Sequence, residues 1–134
     1  MPVPNVVIDA NVAVYALAGS DHLAGGVFER IERGELEAAW PELALVEVAN
    51  AAATLARAGR LSAKRAAELV GEVVAAPIRA ESLSLLVLPA LAIALKRSIS
   101  VYDACYVVLA EALDVPLLTA DRRLAAATPN GELI

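Results

Sequence analysis

The sequence predicts an α/β fold with a central, mostly parallel sheet of four to five short strands covered by helices. Short β-branched apolar runs alternate along the chain with longer segments whose apolar residues recur at helical spacing. Glycine, proline and helix-capping residues fall between these segments, where turns are needed. The chain has 134 residues, 59% of them hydrophobic and 20% charged, so we expect one domain over residues 1–134 with a well-packed core.

The first predicted elements are a strand and two helices. Residues 5–9 contain a short β-branched run, which indicates a buried strand. Residues 10–17 follow without a helix breaker and predict a helix that ends near Gly19. Asp21 can cap a helix over residues 22–33, and Gly34 would end it.

The middle of the chain predicts a second strand and two longer helices. Residues 37–40 suit a strand, and Pro41 then suits the first turn of a helix over residues 42–58. Ser62 caps the next helix, which extends to about Ala75. In the first of these helices the apolar residues recur at helical spacing and should face the core: Leu45, Val48, Ala52 and Leu55.

The last part of the chain predicts three more strands separated by helices. Residues 78–83 suggest a strand, and residues 86–97 a helix that accommodates Pro89 in its first turn. Ser100 starts a helix that continues to about Leu113. Three shorter elements complete the pattern: a strand over 115–119, a helix over 121–127 and an edge strand over 132–134.

Charge and hydropathy narrow the class of protein. The net charge is −5 and the isoelectric point is near 4.8. Nucleic-acid-binding modules are usually basic, so this charge argues against a simple binding module and fits a basic protein partner. It argues less against a nuclease, because metal ions offset the acids locally. A mean hydropathy of +0.63 suggests apolar surface that serves an oligomer or partner contact.

The expected cellular compartment follows from the membrane-spanning and signal segments that the sequence lacks. The longest apolar stretch, residues 85–95, contains Pro89 and is shorter than the ~20 residues that cross a bilayer. Residues 1–5 have no basic region, so no signal peptide is expected. Cys105 is the only cysteine, which excludes an internal disulfide and a cysteine zinc site. We therefore expect a cytoplasmic protein with no membrane segment.

Four acidic residues stand in short apolar surroundings: Asp9, Glu47, Asp103 and Asp121. Asp9 and Asp121 each follow a predicted strand, and Asp103 lies in the first turn of a predicted helix. Sites in parallel sheets form at the carboxyl ends of strands, so these side chains can converge. Clustered carboxylates raise one another's pKa and need a counter-charge, for which a hard divalent cation is suited. This pattern favours metal-assisted phosphodiester chemistry.

Each acid also has a purely structural interpretation. Asp9 and Asp121 can cap the helices that follow them. Asp103 forms a capping-box pattern with Ser100. Glu47 lies roughly opposite the apolar stripe and can be a solvated glutamate. The two interpretations are compatible, because the positive end of a helix can also hold a metal-binding carboxylate.

A joint pattern of motifs sets the chain apart. They are Asp9-Ala10-Asn11, Glu47 in an alanine-rich helix, Tyr102-Asp103-Ala104 and Thr119-Ala120-Asp121. In this order and spacing they resemble the PIN-domain ribonucleases, and within that family the VapC-type toxins of bacterial and archaeal toxin–antitoxin pairs. The resemblance extends over nearly the whole chain, residues 6–124.

The resemblance implies an endoribonuclease that uses Mg²⁺ or Mn²⁺. Carried across by motif, the metal-binding and catalytic acids would be Asp9, Glu47, Asp103 and Asp121. Asn11 would support the site by hydrogen bonding, and Thr119 would be a polar neighbour at the strand end. Some relatives have a further acid two residues after the last aspartate. Here that residue is Arg123, which leaves open whether one or two metal ions bind.

The resemblance also implies partners. RNA would be the substrate, and Arg122 and Arg123 beside Asp121 can contact its phosphates or lie solvated at a helix end. A cognate antitoxin is expected to lay a helix or extended segment near residues 42–65, with a basic side chain, such as arginine, close to the four acids. The family further suggests a homodimer.

Two other classes of protein remain open. One is a PIN-like interaction domain that lacks activity. The other is an acidic-site phosphoryl-transfer protein, which would need a lysine late in the chain, whereas the last lysine is Lys96. No histidine or cysteine site competes with these classes: His22 is expected at the surface and Cys105 in the core.

Overall fold

The computed structural model describes residues 3–134, and these form five strands and seven helices. Met1 and Pro2 belong to the N-terminal segment in which no signal peptide is expected, and they lie outside the described residues. In chain order the elements are β1 (Val6–Ile8), α1 (Ala10–Leu17), α2 (His22–Glu32), β2 (Ala38–Pro41), α3 (Leu43–Arg57), α4 (Ala63–Ala75), β3 (Ile78–Glu81), α5 (Leu83–Arg97), α6 (Val101–Leu113), β4 (Leu117–Thr119), α7 (Arg122–Ala126) and β5 (Gly131–Leu133).

The strands form one sheet in the order β3-β2-β1-β4-β5, and all pairs are parallel. The predicted α/β fold with a parallel sheet of short strands covered by helices is confirmed. The chain proceeds outward from β1 in one direction through β2 and β3, and in the other through β4 and β5. Open α/β sheets place their sites where the order reverses, at the carboxyl ends of the strands. Here that position lies between β1 and β4.

The core explains why these segments form the centre of the fold. Every residue of β1 and of β4 is buried, as expected for strands covered on both faces. Among the described helices α6 contributes the largest number of buried residues, and it packs against β1, β2 and β4 of the sheet. The largest fully buried side chains include Trp40 on β2 and Tyr106 on α6.

Several helix ends agree with the predicted caps. The Asp21 carboxylate accepts a hydrogen bond from the Ala24 backbone N–H, and the Ser62 hydroxyl accepts one from Arg65. Ser100 caps α6 in the same way by accepting from the Asp103 backbone N–H at 3.0 Å. Gly34 adopts a left-handed φ of 74° just past α2, a conformation that glycine adopts without the steric cost of a side chain.

Both prolines placed by helix rules behave differently from prediction. Pro41 is the last residue of β2 and pairs with Glu81, so it does not belong to the first turn of α3. A strand end tolerates proline because one missing N–H there removes little pairing. Helix α5 starts at Leu83 rather than residue 86, which puts Pro89 beyond its first turn. Pro89 is exposed, so water can solvate the carbonyl that loses its helical partner.

The outer face of α5 is unusually apolar. Leu85, Leu88 and Leu95 are 69%, 75% and 77% exposed. No single helix within residues 3–134 is long and apolar enough to cross a membrane. Helices α5 and α6 reach that length and composition only as a pair, bent by 108°.

Candidate active site

Asp9 lies at the carboxyl end of β1, with its carboxylate turned toward β4. It occupies the N-cap position of α1 but its side chain makes no capping hydrogen bond. Instead its Oδ2 accepts a hydrogen bond from the Thr119 hydroxyl at 2.8 Å. Thr119 Oγ1 in turn accepts from the Asp121 backbone N–H at 2.9 Å. Asp9 therefore takes the N-cap position, but its carboxylate is held mainly at the strand ends by Thr119.

The surroundings of Asp9 disfavour its charged form. Burial raises the pKa of the carboxyl from 3.8 to about 6, and the Thr119 hydrogen bond opposes this rise. The nearby charges of Glu47 and Asp103 raise the pKa further. A buried carboxyl beside two other carboxylates is typical of a group that needs a cation or a proton.

Glu47 is partly buried on α3 and is not a freely solvated glutamate. Its Oε1 accepts a hydrogen bond from the Tyr106 hydroxyl at 2.7 Å. Burial raises the pKa of Glu47, the Tyr106 hydrogen bond lowers it, and the charge of Asp103 raises it. Its carboxylate therefore lies within electrostatic reach of both Asp9 and Asp103.

Asp103 lies in the first turn of α6, where Ser100 positions the backbone. Burial raises the pKa of its carboxyl, and the charge of Asp121 adds to this rise. The Ser100 hydroxyl and the charge of Arg123 act in the opposite direction. The charge of Asp103 thus interacts with that of Asp121 and with those of Asp9 and Glu47.

Asp121 is the one member that acts as a helix cap. Its Oδ1 accepts hydrogen bonds from the backbone N–H groups of Arg123 at 2.8 Å and Leu124 at 3.4 Å. Asn11 stabilises the same loop, because its Oδ1 accepts from the Ala120 backbone N–H at 3.3 Å. The structure therefore places all four predicted acids at one end of the sheet. Thr119 hydrogen-bonds to Asp9 and to the Asp121 backbone, and Asn11 holds the backbone between them.

Four basic side chains differ in whether other residues of the fold already bind them. Arg122 and Arg123 are exposed, and Arg123 lies close enough to Asp103 to lower its pKa. Arg97 instead forms a two-pronged ion pair with Glu111. Arg65 donates to the Leu17 carbonyl and to Glu72. Arg65 and Arg97 therefore have structural partners, whereas Arg122 and Arg123 remain candidates for phosphate contact.

The carboxylate oxygens of the four acids are the kind of ligand that a hard cation needs. Within residues 3–134, no three His, Cys, Asp or Glu side chains lie close enough together to hold one metal ion directly. Mg²⁺, however, keeps several water ligands and is commonly held by only one or two carboxylates. Oxygen donors that raise one another's pKa fit such an ion by charge and by chemistry.

Sequence reasoning missed Tyr106, the residue that touches Glu47. The available signal was its spacing: it follows Asp103 by three residues on a predicted helix and so lies on the same face. The other chemically active side chains lie as expected, with His22 exposed and Cys105 buried.

Two surface cavities meet beside Glu47, with volumes of about 500 and 420 Å³. We call this surface the α3 groove; it is lined by Glu42, Leu43, Leu45, Val46, Glu47, Asn50, Ala51, Leu83 and Tyr102. Its side chains are mainly apolar, with Glu42 and Glu47 as the carboxylates. The open space next to the acids therefore suits an apolar segment that carries a cation.

The parallel sheet has carboxylates at the point where its strand order reverses, between β1 and β4. This arrangement places the chain among the α/β proteins with an acidic site. The PIN domain family model matches residues 6–128, and the chain belongs to the PIN-domain family. A ribonuclease VapC3 of Mycobacterium tuberculosis is 33% identical over 133 residues, covering 99% of this chain and 94% of that protein. A ribonuclease VapC3 of Pyrobaculum aerophilum is 39% identical over 90 residues, covering 66% and 69%.

Other similarities are shorter or more distant. Ribonuclease VapC1 of Mycobacterium tuberculosis is 67% identical over 33 residues, and this match spans a quarter of each chain. The crystal structure of PAE2754 from Pyrobaculum aerophilum superimposes with a TM-score of 0.74 at 26% identity, over 96% of this chain and 83% of that one. A toxin–antitoxin complex from Klebsiella pneumoniae gives a TM-score of 0.62 at 13% identity, over 96% and 99%, which shows a shared fold.

Proposed function

We propose that this protein is a Mg²⁺- or Mn²⁺-dependent endoribonuclease of the cytoplasm, the toxin of a type II toxin–antitoxin pair. The observation that carries the proposal is the grouping of the half-buried Asp9 carboxylate, held by Thr119, with the charges of Glu47 and Asp103 at the carboxyl end of the sheet. The relatives named as ribonucleases support the same chemistry. Membership of the PIN family does not support the alternative of an acidic-site phosphoryl-transfer protein.

The proposed metal-binding and catalytic acids are Asp9, Glu47, Asp103 and Asp121, of which one or two would bind the cation directly and the others through its water ligands. When bound, a divalent cation would supply charge relief at the scissile phosphate and lower the pKa of a water molecule. The protein's own contribution is to hold the acids in place. Thr119 fixes Asp9 and the backbone of Asp121, and Asn11 fixes the loop between them. Arg122 and Arg123 would bind flanking phosphates.

Cleavage of single-stranded RNA by the purified protein tests this function. Activity should require Mg²⁺ or Mn²⁺, should disappear with a chelator and should be lost in Asp103→Asn. The amide keeps the size of the side chain but lacks the charge that a hard cation needs. Asp114→Asn is the matched control, because Asp114 is an exposed residue at the far end of α6. Undiminished metal-dependent cleavage by a folded Asp103→Asn variant would contradict the assignment.

The α3 groove is the proposed binding surface for an antitoxin. Its apolar lining would supply most of the affinity for a helical or extended segment. An arginine of that segment could reach Glu47 and bind carboxylates with both of its N–H prongs. Co-purification with the neighbouring gene product, followed by RNA cleavage, tests this inhibition. A complex that cleaves RNA as fast as the free protein would rule out inhibition at the site.

The outer face of α5 is the proposed homodimer contact. Its exposed leucines carry no charged neighbours between residues 83 and 95, so the face lacks the charges that RNA or a polar partner would need. A two-fold contact only requires that one patch be complementary to itself. Sedimentation should show a dimer that Leu88→Glu converts to monomer. Val74→Glu, at a similarly exposed position on α4, should leave the dimer intact.

A further inference from the structure

We propose that Tyr106 is a positioning residue that holds the Glu47 carboxylate in the candidate active site. Its hydroxyl donates to Glu47 Oε1 at 2.7 Å from a side chain that is 1% exposed. The proposal rests on the metal-dependent function in one respect, namely that Glu47 acts on a bound cation.

The Glu47 side chain needs a contact that holds it in place. It projects from α3 beside the α3 groove, so its flexible side chain has open space into which to rotate. Across residues 3–134, the Tyr106 hydroxyl is the one hydrogen-bond donor to this carboxylate. Ordering a flexible glutamate side chain costs conformational entropy, so one short hydrogen bond decides where the carboxylate lies.

Tyr106 is itself rigidly placed. It follows Asp103 by about one turn of α6, so the same helix presents both groups to the site. The ring is enclosed in the core, which fixes the hydroxyl in space. A tyrosine hydroxyl is protonated at neutral pH, so it can donate to the Glu47 carboxylate.

Only one of the two Glu47 carboxylate oxygens accepts a hydrogen bond among the described residues. The hydrogen bond engages Oε1, and within the described chain no group donates to Oε2. Glu47 can therefore direct one oxygen toward a cation or its water ligands while the other is fixed. Outer groups that orient metal-binding side chains typically change metal affinity by about 10- to 100-fold.

The alternative is that the pair only satisfies a buried phenol. In that case removing the hydroxyl would alter stability but would not alter cation binding. Tyr106→Phe separates the two roles, because it keeps the ring and removes only the donor.

Two measurements that start from metal-free protein test the proposal. A crystal structure of Tyr106→Phe should show the Glu47 carboxylate displaced toward the α3 groove. Calorimetric titration with Mn²⁺, without RNA, should show about 10-fold weaker binding than the wild type. Glu47→Gln should weaken Mn²⁺ binding as well, and adding Tyr106→Phe to it should produce no further loss, because Tyr106 acts through the charge of Glu47.

An unmoved Glu47 carboxylate in Tyr106→Phe would overturn the proposal, as would unchanged Mn²⁺ affinity or additive losses in the double variant. If the wild type binds no Mn²⁺, the metal-dependent function fails. The position of Glu47 in Tyr106→Phe then still decides whether Tyr106 holds it.

Discussion

The Thr119 hydroxyl donates a 2.8 Å hydrogen bond to the Asp9 carboxylate, joining residues that lie 110 positions apart. The parallel register of β1 and β4 produces this contact. Val7 pairs with Leu117 and Ile8 with Leu118, so Asp9 and Thr119 are the next residues along the two strands. Two ordinary strand ends thereby place a hydroxyl beside a buried carboxyl.

Thr119→Val should destabilise the protein and raise the pKa of Asp9 above about 6. Valine has nearly the same shape but cannot donate to Asp9 or accept from the Asp121 N–H. Loss of these buried partners should lower the free energy of unfolding by ~1–3 kcal/mol, measured by urea denaturation. Thr119→Ser is the control, because it keeps the hydroxyl. Equal stability of the two variants would show that the hydrogen bonds contribute little.

Asp9→Asn should stabilise the metal-free protein at pH 7. The folded state holds the Asp9 proton more tightly than the unfolded chain, with a pKa of about 6 against 3.8. The associated stability is therefore fully present below pH 3.8 and is lost as the pH rises through about 6. This difference is on the order of 3 kcal/mol, so an asparagine should recover ~1–3 kcal/mol at pH 7 and almost nothing at pH 4.

Urea denaturation of Asp9→Asn at both pH values measures this effect, with Glu132→Gln, at an exposed position, as the control for removal of one negative charge. A gain that is the same at pH 4 and pH 7 would mean that it does not arise from ionisation of Asp9. Saturating Mg²⁺ should stabilise the wild type at pH 7, and it should have little effect on the variant.

Arg97→Ala should destabilise the packing of α5, α6 and α7. The Arg97 guanidinium binds both Glu111 oxygens, at 2.6 and 3.1 Å, and also donates to the Ala127 carbonyl at 3.1 Å. Such paired geometry in a partly exposed site should contribute ~1–2 kcal/mol. Lys96→Ala, at the exposed neighbouring position, should change the free energy of unfolding by less than ~0.5 kcal/mol. Similar losses in both variants would contradict a specific role for Arg97.

Gly131→Ala should be strongly destabilising although it adds only one methyl group. A Cβ at this position in β5 would overlap the backbone carbonyl of Ala125, which cannot move without displacing α7. The expected loss is about 2 kcal/mol or more in thermal or urea unfolding. Gly71→Ala is the matched control: its surroundings on α4 are open, so alanine should stabilise the helix by up to ~1 kcal/mol. A tolerated Gly131→Ala would mean that β5 is free to shift.

The elements were predictable because their determinants are local. The β-branched run of β1, the caps at Ser62 and Ser100 and the glycine after α2 each act over a few residues. The start of α5 was not predictable in this way. Its first turn is fixed by the Leu83 backbone N–H, which donates to the Glu42 carboxylate 41 residues earlier in the chain.

Local sequence patterns specify the alternation of strands and helices, and they put Asp9 and Asp121 directly after strands. The strand order depends on long-range packing, and so do the Thr119–Asp9 contact and the approach of Tyr106 to Glu47 across 59 residues. The same packing explains why the Asp121 side chain caps a helix while the Asp9 side chain binds Thr119 instead. Local propensity acts through the backbone of neighbouring residues, whereas these contacts depend on which distant surfaces pack together, and no short segment of the sequence specifies that.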